Sequence, residues 1–174
     1  MRRRLLLISA ATLLAAPVAA QEAIGTFIDT NGNQVGAVSL AQQGDTVVAT
    51  GEIVGISPGP HGIHYHAVGD CDPSTAFESA GPHFNPANEQ HGLDNPEGPH
   101  FGDLPNLIVG ADGIGAISLS NVEISLVEPA EGYLFDDDGT ALVIHADEDD
   151  QITDPSGNSG DRIACAVIEA PPAQ

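Results

Sequence analysis

From Ala23 onward, apolar residues come in short β-branched or alternating runs that stop at turn-forming residues and then resume. AIGTFID, NQVGAVSLAQ and DTVVATGEIVG are the first three, parted by Thr30-Asn31-Gly32 and Gln43-Gly44-Asp45. Alternation over four to eight residues predicts half-buried strands, and Gly, Asn and Asp supply the turns between them. Ser57-Pro58-Gly59-Pro60 turns the chain into HGIHYHAV, a fourth expected strand. LPNLIVGADG, GIGAISLS, VEISLV, ALVIHA and RIACAVIEA continue the series, and a Pro-rich tail follows. Helical periodicity is absent apart from room for a turn inside a loop. Seven or eight short strands without a longer repeat predict an all-β sandwich or barrel. GADGIG has the wrong glycine spacing for a dinucleotide fingerprint, and DDDG lacks the alternating ligands of a calcium loop.

Two stretches break the pattern. Asp70 to Leu104 is rich in Pro, Gly, Asn, Asp and His, and Asp147 to Arg162 is polar and acidic. Structureless loops of that length are uncommon in a compact domain unless they are functional or stapled. A polar connection, EPAEGYLFDDDG, also follows VEISLV.

Composition changes the picture at the N-terminus first. Arg2 to Arg4, an apolar run from Leu5 to Ala16, and Val18-Ala19-Ala20 form the three parts of an export signal cleaved after Ala20. The run is too short for a comfortable bilayer span. The expected organisation is therefore a signal peptide over 1–20 and one domain over 21–174, with a periplasmic or secreted mature chain and no membrane insertion. Of 25 acids and 4 basic residues, cleavage would remove three arginines and no acid, leaving Arg162 as the only cation. Such a surface repels nucleic acid and anionic membranes. Disorder is the other reading of so much charge, but 41 % hydrophobic residues oppose it. In an oxidising compartment, Cys71 and Cys165 are read as one disulfide, with a pair of metal-binding thiols as the alternative.

Histidine carries the candidate chemistry. Six of the seven lie at 61, 64, 66, 83, 91 and 100, and the seventh, His145, ends the run ALVIH. His64 and His66 flank Tyr65 on a strand, so both point to one face and one metal can take both. His83, His91, His100 and Asp103 make a tetrahedral set that suits zinc and leaves no open position. His64, His66 and His145 are one ligand short of a second four-coordinate site, and an imidazolate shared between two metals would complete it.

HGIHYH, GDC, SAGPHFNP, the HGL at His91, HFGDLPNL, VIHADEDD and PSGNSGDRIACAVI, in that order, resemble the secreted bacterial branch of the copper-zinc superoxide dismutases over nearly all of residues 23–169. The resemblance implies an eight-stranded Greek-key β-barrel, an immunoglobulin-like sandwich flattened, with the site outside it under two long loops. It implies copper on His64, His66, His83 and His145, and zinc on His83, His91, His100 and Asp103, with His83 the bridge. It also implies a Cys71–Cys165 disulfide, and Asp149 bonding His64 and His91. His61 would pack the barrel without binding metal. The implied reaction disproportionates superoxide to dioxygen and hydrogen peroxide by copper cycling, with Arg162 docking the anion and His83 carrying a proton.

The departures are chemical. Relatives usually carry lysines at the channel mouth, whereas this chain has none, and the second loop is expected to put Asp147, Glu148, Asp150, Asp154 and Asp161 near Arg162. Slow capture of an anion at low salt follows, as does an acid-rich character suited to a saline habitat. The 128–139 connection is longer than in relatives. A non-catalytic copper or zinc carrier on the same fold is the rival from another class; a zinc hydrolase fares worse, having no vacant zinc position. Monomer and homodimer are both left open.

Overall fold

The computed structural model describes residues 21–170. The expected signal peptide and the Pro-rich tail at 171–174 lie outside the described residues. Nine strands occur among those described: β1 (Glu22–Asp29), β2 (Gln34–Gln43), β3 (Thr46–Val54), β4 (Gly59–His61), β5 (Ile63–His66), β6 (Leu107–Val109), β7 (Ile114–Asn121), β8 (Thr140–His145) and β9 (Arg162–Ile168). Hydrogen bonding runs antiparallel in the order β4-β6-β7-β3-β2-β1-β9-β8-β5.

The two ends of that order are consecutive in the chain. β4 and β5 are separated only by Gly62, whose N–H donates to the Asp147 carbonyl and whose carbonyl accepts from His145 N–H. The expected single strand HGIHYHAV is thus one strand broken at Gly62, pairing with β6 on one side and β8 on the other. This closes the sheet into a barrel, and counting the broken strand once gives the expected eight. The connections β3 to β4 and β7 to β8 each skip two strands around the closed sheet, which is the Greek-key pattern.

Alternation decides what fills the barrel. Ala23 and Phe27 on β1, Val38 and Leu40 on β2, and Val47, Ala49 and Ile53 on β3 are buried and meet Tyr65, Leu107, Leu142 and Ile144 in one core. β8 is buried along its whole length, because its outer face is covered by the first long loop. That loop brings a small core of its own: Phe77 and Ala80 pack on Ala141, Val143 and Cys165. It also holds two single 3₁₀ turns, Pro73–Thr75 and Glu78–Ala80.

One expected strand is not formed. Along VEISLV the alternation is real, with Ile124 and Leu126 buried and Val122 and Val127 exposed. The backbone bonds elsewhere: Glu123 and Ile124 N–H donate to Asn121 Oδ1, and Leu126 N–H to Gln42 Oε1. Ser125 makes one isolated backbone bridge, to Tyr133, and side-chain acceptors serve the amides around it, so the segment is inward-facing without joining the ladder.

Candidate metal centre

β5 sets the first two ligand positions. Tyr65 points into the core, and His64 and His66 therefore face outward, beneath the loops, where both are fully buried. The loop crosses that face: His83 pairs with His66 in an isolated bridge, and Asp103 pairs likewise with His64. His145 arrives as the last residue of β8, next to β5.

Two four-residue groups result, His64, His66, His83 and His145 in one and His83, His91, His100 and Asp103 in the other, each with ligand atoms within 4.8 Å of one another. His83 belongs to both. In the first group one ring nitrogen of each histidine is committed. His64 Nε2 lies 2.7 Å from Asp149 Oδ2 and His66 Nδ1 2.8 Å from the Gly81 carbonyl. His145 Nδ1 lies 3.1 Å from the Gly160 carbonyl, and His83 Nδ1 3.0 Å from Asp103 Oδ1. The remaining nitrogens, His64 Nδ1, His66 Nε2, His83 Nε2 and His145 Nε2, are buried without any partner. Leaving four polar atoms dry is costly unless something is to be bound. Four imidazole nitrogens suit copper.

The second group converges on a carboxylate. Asp103 Oδ1 sits 3.0 Å from His83 Nδ1, 2.9 Å from His91 Nδ1 and 3.5 Å from His100 Nδ1. Asp103 Oδ2 accepts the amides of Gly92 and His100, which pins the carboxylate between two loop turns. Three imidazoles and one carboxylate suit a closed zinc site.

Asp149 joins the groups, since Oδ2 meets His64 and Oδ1 lies 3.0 Å from His91 Nε2. Asn106 clamps its backbone from both sides, donating to the Asp149 carbonyl and accepting from its N–H. His61 stands apart: Nδ1 lies 2.8 Å from the His145 carbonyl and Nε2 2.8 Å from that of Ser57, so both nitrogens are used.

Burial pushes the His64 and His145 imidazoles down to about 3 and about 4, and His66 well below its ordinary value. Burial also lowers His83. All four are held neutral, the form that coordinates metal. His91 goes the other way. Burial lowers it, but Asp103 and Asp149 on its two nitrogens together outweigh that and raise it to about 9.

Arg162, at the start of β9, donates to the Phe77 carbonyl at 2.7 Å and the Gly81 carbonyl at 2.8 Å. The Cys71–Cys165 disulfide forms, with Cα atoms 5.7 Å apart, and ties that loop to β9. A cleft of about 660 Å³ opens over the first group, lined by His66, His83, His145 and Arg162. The acids around Arg162 match the expectation only in part. Glu78, from the first loop, is the one whose carboxylate approaches Arg162, at 3.8 Å. Of the second-loop acids only Asp161 lines the cleft. Asp150 instead turns back to accept the Ile152 and Thr153 amides, and Asp154 accepts His91 N–H and faces His100. Neighbouring amides capture the Asp150 carboxylate, and an amide of the first loop holds that of Asp154, so neither is free to reach the arginine.

Sequence reasoning missed Asn106, Asp154 as a holder of the loop, and the carbonyls of Gly81 and Gly160. A carbonyl carries no residue identity, so only the folded chain could mark the last two.

The profile of the copper/zinc superoxide dismutase (SODC) family matches residues 34–168. A copper-zinc superoxide dismutase of Aquifex aeolicus is 41% identical over 143 residues, covering 82% of this chain and 83% of that protein. An extracellular copper-zinc superoxide dismutase of Brugia pahangi is 39% identical, covering 84% and 74%. Among solved structures, a SOD-like protein from Bacillus subtilis superposes with a TM-score of 0.78 at 38% identity, over 82% of this chain and 95% of that one. The clock protein EA4 gives 0.71 at 31% identity, over 91% and 99%.

Proposed function

The chain belongs to the copper/zinc superoxide dismutase family, and on that footing we propose how its own residues divide the work. It is a superoxide dismutase, an oxidoreductase that uses copper and zinc to convert superoxide to dioxygen and hydrogen peroxide. Copper belongs on His64, His66, His83 and His145, and zinc on His83, His91, His100 and Asp103. Bound there, copper supplies a one-electron couple and zinc a fixed charge without redox chemistry. The observation that carries this reading is the set of four buried, unpartnered imidazole nitrogens opening on a cleft with an arginine.

Arg162 receives the anion: its guanidinium is held on two carbonyls, which leaves the charge in place and the donors oriented. Catalysis by positioning needs that rigidity. His83 holds the proton. Its Nδ1 is fixed toward Asp103, so a proton can be accepted and released only at Nε2, on the cleft side. Asp149 positions both sets at once by fixing the rings of His64 and His91.

Residues 1–20 serve as a signal peptide and 21–174 as one mature domain, exported to the periplasm or outside the cell. The disulfide and the extracellular Brugia relative support export. The mature chain binds neither nucleic acid nor membrane, and a homodimer is compatible with its barrel. The deciding experiment is metal analysis of the purified protein beside a superoxide-removal assay. One copper and one zinc per chain with turnover are expected; stoichiometric metal without turnover would leave a carrier.

A further inference from the structure

His83 and its neighbours separate two cavities of opposite character. The cleft described above holds Arg162 and two acids, Glu78 and Asp161. On the other side, a cavity of about 610 Å³ is lined by His83 and His100 together with Glu89, Asp136, Asp138 and Asp154, and by no cation. Pro82, His83 and Pro155 line both and form the partition.

His100 faces two ways. It is 94% buried by its 6% exposure, and its Nδ1 looks inward, 3.5 Å from Asp103 Oδ1. Its Nε2 makes no hydrogen bond among the described residues. The nearest acceptor is Asp154 Oδ1 at 3.7 Å, too long for one. A nearly buried imidazole therefore presents a free nitrogen to a cavity ringed by four carboxylates, while its other nitrogen belongs to the proposed zinc set.

We propose that this second cavity is the inlet for the zinc ion, with the acids drawing in a divalent cation and His100 passing it to His83, His91 and Asp103. The proposal rests on the zinc assignment made above. Carboxylates concentrate cations at a concave mouth and speed their arrival, and oxygen ligands release a partly hydrated cation readily to an imidazole set. The first cleft is a poor route, because Arg162 repels cations and the four-histidine set stands between it and the zinc set. The molecule thus admits its anion on one side of His83 and its structural cation on the other.

The two routes carry opposite salt signatures, since screening weakens attraction and repulsion alike. Uptake should be followed by stopped-flow with cobalt(II), whose visible absorption reports a tetrahedral site, on the full disulfide-bonded chain stripped of zinc and loaded with copper. The variant Asp136→Asn/Asp138→Asn removes two exposed charges at the cavity. Asp45→Asn/Glu52→Gln removes two on the β2–β3 side of the barrel and serves as control. We expect the cavity variant to take up cobalt about three- to tenfold more slowly at low salt, with the control at the wild-type rate. At 1 M salt the three should converge, and final stoichiometry and spectrum should be the same in all. Equal rates in both variants, whether slowed or not, would overturn the inlet. If the wild-type chain gives no tetrahedral spectrum at all, it is the zinc assignment that fails.

Discussion

Single residues here act through the atoms that they leave free. Asp149 uses both oxygens on two rings, one from each metal set. Replacing it with Asn keeps the shape but removes the negative charge that both rings face and turns one acceptor into a donor. Outer partners of this kind are worth about 10–100-fold in metal affinity. We therefore expect Asp149→Asn to bind both metals more weakly in a chelator competition; loss confined to one metal would contradict the joint role. Gly157 is bound up with the same contact. Its φ is +61°, and a Cβ there would run into Asp149 Oδ1 and lie 2.7 Å from His91 Nε2. The metal-free chain should also show the histidines in its pH response. An unfolded imidazole titrates near 6.5, while His64 and His145 titrate at about 3 and about 4. As pH falls from about 6.5 the unfolded chain binds protons that the folded chain refuses, so stability drops. His91, raised to about 9, has the opposite sign: its contribution is complete below about 6.5 and is lost as pH rises through about 9. The denaturation midpoint of the metal-free chain should peak near neutrality and fall on both sides. A midpoint that climbs steadily from pH 5 to pH 10 would be inconsistent with these burials.

At the scale of elements, the first long loop and β9 work as one piece. Arg162 stands three residues before Cys165, and its two carbonyl anchors, Phe77 and Gly81, follow Cys71 in the loop. The disulfide spans 94 residues, for which chain entropy gives roughly 4–5 kcal/mol as an upper figure. Cys71→Ser/Cys165→Ser should lower the melting temperature and also slow superoxide removal in protein that retains its metals, because the guanidinium loses its fixed seat. Unchanged turnover with full metal content would separate the disulfide from the arginine. β5 shows the complementary case. Its alternation was legible, since His64 and His66 had to share a face once Tyr65 went inward. The break at Gly62 was not, because it depends on β8 and the second loop supplying bonding partners for that one peptide. VEISLV fails as a strand for the same kind of reason: its inward pattern is local, whereas a ladder needs a neighbour, and Asn121 and Gln42 take that place.

Over the whole molecule the dominant quantity is charge. All 25 acids lie between Glu22 and Glu169, within the described residues, against Arg162 alone. A superoxide anion approaches through a repulsive field whose reach shrinks from about 10 Å at 0.1 M salt to about 3 Å at 1 M. The second-order rate of superoxide removal should therefore rise with ionic strength. A rate that falls would mean that the local field at Arg162 outweighs the surface, despite Glu78 at 3.8 Å. The same screening should slow cation uptake on the far side of His83, so the two rates are expected to move apart as salt is added.

The amino-acid sequence alone determined the strand pattern, the two loops, the acidic surface, and which side chains can ligate metal, because these follow from residue type and spacing of two. The family resemblance carried the assignments of His83, Asp149 and Arg162 with it. Tertiary structure decided which nitrogen of each histidine is spent and which is left bare, where each acid of the second loop turns, and that His83 divides an anion's cleft from an acidic cavity. Those outcomes depend on backbone carbonyls and amides brought together from residues up to 85 apart, and a carbonyl is the same group on every residue until the chain has folded.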